Sequence, residues 1–317
     1  MTHITRVAAI DIGTVTCRLL LAETDGTHIT TLAKRSTITN LGEGVDATSH
    51  LLPEAIERVS QTVAGYLAEI ERFEREVPLP SGQEKTKLVA LATSASRDAQ
   101  NSHVFIERLA RLGVNLSIIP GEREAQLSFL GASREFAGEH LLVVDSGGGS
   151  TEVIVGVAGG QPSLVHSFDI GCRRVTERFL HSDPPTSEEI QAARVWVREQ
   201  FQSYFDELRE EKLRIDRVIA VAGTATSMVS VRDRLVVYDS KHVHGARMEA
   251  HSLDQVFDLL ASLPLEQRKQ VIGLQPQRAA VIVGGALILQ ELLRVLGVQA
   301  YTASESDILQ GIILSAV

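Results

Sequence analysis

Cysteine is nearly missing from this 317-residue chain: Cys17 and Cys172 are the two it has. They lie far apart, which excludes a disulfide framework and points to a reducing compartment, and neither stands in metal-ligand spacing. Long apolar runs are missing too, so no membrane span is expected, and MTHITRVAAIDIG carries no cleavable signal pattern. A basic surplus is the third absence. The formal net charge of −9 disfavours general nucleic-acid binding, which draws its affinity from clustered Lys and Arg. The chain reads as a soluble cytosolic protein, and its length favours two ordinary domains over one very large one. A polyanionic substrate would need local basic patches or metal screening. Arg173 and Arg174 in GCRR, and Arg232, Arg234, Lys241 and Arg247, could supply the patches or could be solvated surface.

What is present in quantity is apolar strand sequence broken by glycine. In VVDSGGGSTEVIVG, residues 143–156, an aspartate and three glycines interrupt two runs of branched apolar residues. Leu141 to Val144 reads as a buried strand, with Val153 to Val157 as its continuation or partner. Gly147, Gly148 and Gly149 lack a Cβ, so their amides can approach a bound group closely. Successive N–H groups in such a turn form an anion-binding concavity. Asp145 and Glu152 then fit as groups that hold a cation, directly or through water. A plain hairpin turn is the alternative.

The same device occurs earlier. VAAIDIGTVTCRLLLAE, residues 7–23, again runs strand, Asp, any residue, Gly, polar turn, strand, with Thr14 and Thr16 following where Ser150 and Thr151 follow in the second copy. Two copies in comparable α/β stretches predict duplicated domains facing one another. The boundary is expected near residue 127, giving domains 1–127 and 128–317.

The intervening segments support this division. PEAIERVSQTVAGYLAEIERF reads as a helix with Pro53 in its first turn and one apolar face through Ile56, Val59, Val63, Leu67 and Ile70. LVALAT and NLSIIP read as strands, and NSHVFIERLARLG as a helix stopped by Gly113. Thr186 and Glu189 form a capping-box start for a long helix. RVIAVAGTATSMVS reads as a buried strand turning into a helix at Gly223 and Thr224, a place where orphan N–H groups and the helix dipole suit phosphate. Gly284 and Gly285 fit either close helix packing or approach to a nucleotide.

Taken in order, DIGTVTCRL, ATSASRDAQN, GEREAQLSFLG, VVDSGGGSTE, DIGCRRVTERFLHSDPP, VAGTATS, VYDSKHVHG and SESDILQGI resemble the exopolyphosphatase and guanosine pentaphosphate phosphatase family, in its short two-domain form. The resemblance implies an α/β fold of two duplicated actin-like ATPase (ribonuclease H-like) domains with a phosphate-binding cleft between them. It implies hydrolysis of a terminal phosphoanhydride by water, with Mg2+ as cofactor. The family's catalytic glutamate maps onto Glu124 of GEREA, and its phosphate-clamping arginine onto Arg97 of ATSASRDAQN. Asp145 and Glu152 become the metal side. Asp11, Gly13, Thr14, Thr16 and Arg18 form one phosphate clamp, Gly147, Gly148, Gly149 and Ser150 the other, with Gly223 and Thr224 also on phosphate. Phosphoryl transfer needs little else: in-line positioning, neutralised oxygens and an oriented water.

Three places in the chain depart from the family pattern. The first turn reads Thr14, Val15, Thr16 where Ser-Asn-Ser is usual, Arg123 replaces a glutamate, and Ala280 replaces an aspartate. The expected substrates are inorganic polyphosphate, with short chains handled better than long polymer, guanosine pentaphosphate (pppGpp), an alarmone of the stringent response, or both. A helical domain that lengthens the polymer path in longer relatives is not expected here. No nucleic acid or membrane partner is expected, and a homodimer is the default for a cytosolic enzyme of this size. The second reading, motivated by Val15 and Arg123, is a catalytically weak sensor of the same fold. A small-molecule kinase is the third. Tyr238, His242 and His244 could contact a base or ribose, with satisfaction of their own loop as the favoured alternative.

Overall fold

Strand β1, Thr5–Ile12, is apolar on both sides, and each side has its own core. Side chains alternate along a strand, so Ala8, Ile10 and Ile12 enter one cluster while Val7 and Ala9 enter another. Each fully buried branched side chain contributes about 1.5–3 kcal/mol. The computed structural model describes residues 3–210 and 213–317; Met1 and Thr2, at the head of the segment read for a signal pattern, lie outside the described residues.

The chain divides into two compact units, Met1–Gly131 with Asp307–Val317, and Ala132–Ser306. In the first, β1 pairs antiparallel with β2 (Thr16–Thr24), which pairs with β3 (Ile29–Ile38). A short helix α1 (Val45–Thr48) precedes α2 (Pro53–Glu76), whose Ile56, Val59, Val63 and Ile70 are buried as their spacing requires. Then come β4 (Lys87–Ala92), α3 (Ser94–Asp98), α4 (Ser102–Ala110), β5 (Leu116–Ile118) and α5 (Gly121–Ala132). The sheet order is β3-β2-β1-β4-β5, with β4 parallel to both β1 and β5.

The second unit opens with β6 (His140–Ser146), β7 (Thr151–Val157) and β8 (Pro162–Phe168). Helices α6 (Cys172–Phe179) and α7 (Ser187–Glu210) follow, then β9 (Arg217–Val221), α8 (Ala222–Arg232), α9 (Ser240–Val243) and β10 (Arg247–Glu249). The expected capping box is present: Glu189 N–H donates to Thr186 Oγ1 at 3.2 Å, and Thr186 N–H to Glu189 Oε2 at 2.9 Å. Helices α10 (Ala250–Ser262) and α11 (Leu265–Arg268), a short 3-10 turn, α12 (Ile282–Leu296) and β11 (Ala300–Ala303) complete the unit. Its sheet order is β10-β11-β9-β6-β7-β8. Read from the other edge, β8-β7-β6-β9-β11 repeats the first unit strand for strand and direction for direction, with β10 added antiparallel at the edge. The twofold device in the sequence is therefore a twofold topology.

The final helix, α13 (Ile308–Ser315), returns to the first unit instead of ending the second. Its Ile308, Leu309, Ile312 and Ile313 share a core with Val7, Ala9, Leu20, Ala22 and Leu127, which the outer face of that sheet would otherwise expose. Among the described residues, no helix is long and apolar enough to cross a membrane.

Candidate active site

The turn between β6 and β7 is built by pinning its carbonyls. Gly147 N–H donates to Ser150 O at 3.0 Å, closing the turn. The Gly147, Gly148 and Gly149 oxygens accept from Cys172 N–H (3.0 Å), Arg173 N–H (2.9 Å) and Arg174 Nε (3.1 Å). In a trans peptide the C=O and the following N–H point opposite ways. The N–H groups of Gly148, Gly149 and Ser150 are thereby turned away from 171–174, and among the described residues none of the three donates to a protein group. Successive outward N–H groups of this kind bind an anion.

The turn between β1 and β2 repeats the construction. Gly13 N–H donates to Thr16 O at 2.9 Å; Thr14 O accepts from Gly42 N–H, and Val15 O from the Thr39 and Asn40 N–H groups, each at 2.9 Å. Gly13 matches Gly147, and Thr16 matches Ser150. Val15, the departure in this turn, is a buried side chain, and its carbonyl takes part in the pinning.

The residues just outside each turn differ in charge. Asp11 faces Arg18 across β1 and β2, and Asp145 faces Glu152 across β6 and β7. Arg18 donates to Asp11 Oδ2 through Nε at 3.0 Å and Nη2 at 2.5 Å, and its Nη1 pairs with Asp307 Oδ2. Burial raises the Asp11 carboxyl above its ordinary range, with Arg18 pulling it back. Asp11 and Arg18, both expected on phosphate, thus engage each other.

Asp145 and Glu152 are both buried, their side chains on one face of the sheet as cross-strand partners must be, and Glu152 Oε1 accepts from Ser167 Oγ at 2.7 Å. Two carboxylates so placed suit a hard divalent cation that completes its shell with phosphate oxygens and water. Among the described residues no group of three or more His, Cys, Asp or Glu could hold a metal alone.

The two residues expected to act in catalysis meet directly. Glu124, in the first turn of α5, accepts from Arg97 Nη1 at 2.7 Å through Oε2, and the same Nη1 reaches Ile119 O at 2.9 Å. Glu124 is 9% exposed. The guanidinium holds the carboxylate through its Oε2. Arg123, the second departure, is exposed and turned to Gln126, so it does not neutralise Glu124.

Gly223 and Thr224 stand where β9 turns into α8. Ala222 takes a left-handed backbone there, φ 69°, the kind of strained conformation found at functional turns. Gly223 lies under the Arg278 guanidinium, whose Nη1 is 2.2 Å from where a Cβ would be. Thr224 is buried, its Oγ1 2.5 Å from the corresponding point on Gly285. The Gly284 and Gly285 pair therefore serves close packing of α12 on α6 and α8.

Other expectations resolve into structure. Tyr238 pairs with Glu305, His242 Nε2 with Asp233 at 2.8 Å and His244 Nε2 with Glu135 at 2.7 Å. His244 Nδ1 accepts from Glu305 N–H at 3.0 Å, so its proton sits on Nε2. This loop satisfies itself. The basic stretches are likewise partnered: Arg232 with Asp233, Arg247 with Glu249 and Arg173 with Glu177. Arg278 and Asp307 had no role in the sequence reading, although Asp307 lies inside SESDILQGI. Gly171 had none either, yet a Cβ there would come within 2.2 Å of Gly148 O.

Comparison with known proteins gives the chain's relatives. The Mycobacterium tuberculosis protein Exopolyphosphatase 2 is 39% identical over 98% of each chain. The crystal structure of an exopolyphosphatase-like protein matches at a TM-score of 0.87 and 32% identity, covering 99% of this chain and 98% of the other. The Aquifex aeolicus PPX-GPPA enzyme matches at a TM-score of 0.78 and 28% identity, covering 98% and 99%. The duplicated α/β sheet is the fold of these Ppx/GppA structures. A family model, that of the Ppx/GppA phosphatase family, matches residues 20–317, and the chain belongs to that family.

Proposed function

We propose that the chain hydrolyses terminal phosphoanhydrides, releasing phosphate from inorganic polyphosphate, from guanosine pentaphosphate, or from both. The observation that carries this reading is the 2.7 Å contact between Arg97 and Glu124. A carboxylate held by a guanidinium at the end of a sheet suits a group that orients an attacking water and takes its proton as the new O–P bond forms and the anhydride P–O bond breaks. Arg97 then also stands within reach of the phosphoryl oxygens whose charge it would offset. The outward N–H groups of Gly148, Gly149 and Ser150 suit one phosphoryl group, and the first turn is built to the same pattern. Asp145 and Glu152 would hold Mg2+, which when bound neutralises phosphate oxygens. The relatives' names support polyphosphate as substrate. The net charge of −9 and the partnered arginines favour short chains over long polymer.

The test is phosphate release from short polyphosphate, long polyphosphate and guanosine pentaphosphate, with and without Mg2+, for the wild type and Glu124→Gln. Metal-dependent release that falls by roughly 100-fold or more in the variant is expected for loss of a general base. Tight binding without turnover in the wild type would replace this reading with the sensor.

A further inference from the structure

We propose that Asp307 is a positioning residue for Glu124, acting through a clamp that ties the final helix to both the first hairpin and helix α5. The proposal rests on the reading of Glu124 as the water-orienting group, and it gives the motif SESDILQGI a task. Asp307 divides its carboxylate between two jobs. Oδ1 accepts from Leu309 N–H at 2.9 Å, capping α13, and Gln310 closes the box by accepting from Asp307 N–H at 3.0 Å. Oδ2 pairs with Arg18, the residue that also grips Asp11 beside the first turn. The helix so anchored is pressed backbone to backbone against α5 at two places. A Cβ on Gly131 would lie 1.8 Å from Asp307 O, and one on Gly311 would lie 1.9 Å from Leu127 O.

Contacts that close leave no slack between the helices, because any lateral shift would drive main chain into main chain. Leu127 also packs with Ile308, Leu309 and Ile312. Glu124 lies one helical turn before Leu127 on α5, so the register of its carboxylate against the first hairpin is set by the Asp307 clamp from one side and by Arg97 from the other. Neither Asp307 nor the two glycines touches the reacting atoms in this account.

Asp307→Asn separates the two jobs, since Asn caps a helix about as well as Asp but removes the charge that pairs with Arg18. With phosphate release from polyphosphate as the assay, kcat is expected to fall on the order of 10- to 100-fold, the cost of a misplacement near 1 Å, with KM changed by less than about twofold. Circular dichroism and the melting temperature report folding, and Asp307→Ser, which keeps a capping oxygen, replaces the variant if it does not fold. Glu124→Asp, whose shortened carboxylate leaves a measurable rate, is combined with Asp307→Asn in a double-mutant cycle. Losses smaller together than the product of the single losses are expected, because both act at one carboxylate. An unchanged kcat in Asp307→Asn, a loss confined to KM, or losses that multiply would overturn the positioning role while leaving the proposed function intact. Full activity in Glu124→Gln would overturn both.

Discussion

Glu152 stands at the place in the second hairpin that Arg18 fills in the first. The turns they flank close in the same way, Gly13 N–H on Thr16 O and Gly147 N–H on Ser150 O, so the facing pairs just outside them differ in charge. In the first hairpin a guanidinium supplies the positive charge from within the chain. In the second, two carboxylates face each other, an oxygen-rich arrangement that suits a divalent cation. Titration calorimetry with Mg2+ is expected to show one site per chain. Glu152→Gln is expected to weaken it by at least on the order of tenfold, as for groups that support a metal. Unchanged affinity in that variant would move the metal elsewhere.

Arg97 has two geometric duties, one toward Glu124 and one toward the Ile119 carbonyl. Lysine keeps the charge but not the planar fork, so it cannot hold both partners in the same directions. Arg97→Lys is therefore expected to lower kcat on the order of 100-fold, the scale of losing one preorganised donor. Because Arg97 is partly exposed, the melting temperature is expected to move little. A variant that melts far lower while keeping its rate would mark the arginine as structural.

The hairpins, the α2 face and the capping box were legible in the sequence because each is written in neighbours. Strand alternation, Pro53 in a first turn and Thr186 three residues before Glu189 are local signals. Even the Asp11–Arg18 pair was within reach, since a four-residue turn fixes which residues face across it. Long-range approach was not legible. Nothing near Gly171 says that Gly148 will lie against it, and nothing near Gly131 says the same of Asp307. The return of α13 was missed for the same reason: its apolar face fits either unit until the outer face of the first sheet is seen to need cover.

Glu291 gives stability a pH dependence. It is fully buried on α12 and meets Arg194 Nη1 at 2.8 Å, Arg198 Nη2 at 2.8 Å and Arg294. Burial pushes its carboxyl up, but the hydrogen bonds from Arg194 and Arg198 and the Arg294 charge prevail and hold it below the ordinary value of 4.5. A carboxylate whose folded value is depressed stabilises the fold above its unfolded value and loses that contribution as pH falls through the folded one. Glu291→Gln is therefore expected to be less stable than the wild type at neutral pH, by about 3 kcal/mol. Melting curves of the two proteins are expected to converge below pH 4.5. A gap that stays constant to low pH would assign the effect to packing instead.

Gly171 offers the most direct test of the anion cradle. Its backbone lies at φ −139° and ψ 161°, extended geometry that alanine adopts freely, so the conformation itself does not demand glycine. The demand comes from the neighbour. A Cβ would sit 2.2 Å from Gly148 O and 2.3 Å from Gly149 N, both main chain, so the turn must move to admit it. Movement there tilts the peptide planes whose carbonyls Cys172 and Arg173 hold, and with them the N–H groups of Gly148 and Gly149. Gly171→Ala is expected to lose about 1–3 kcal/mol of stability through overpacking. It is also expected to raise KM for polyphosphate, because donors aimed at the anion no longer converge. Loss of stability with KM unchanged would mean that these amides do not hold the substrate.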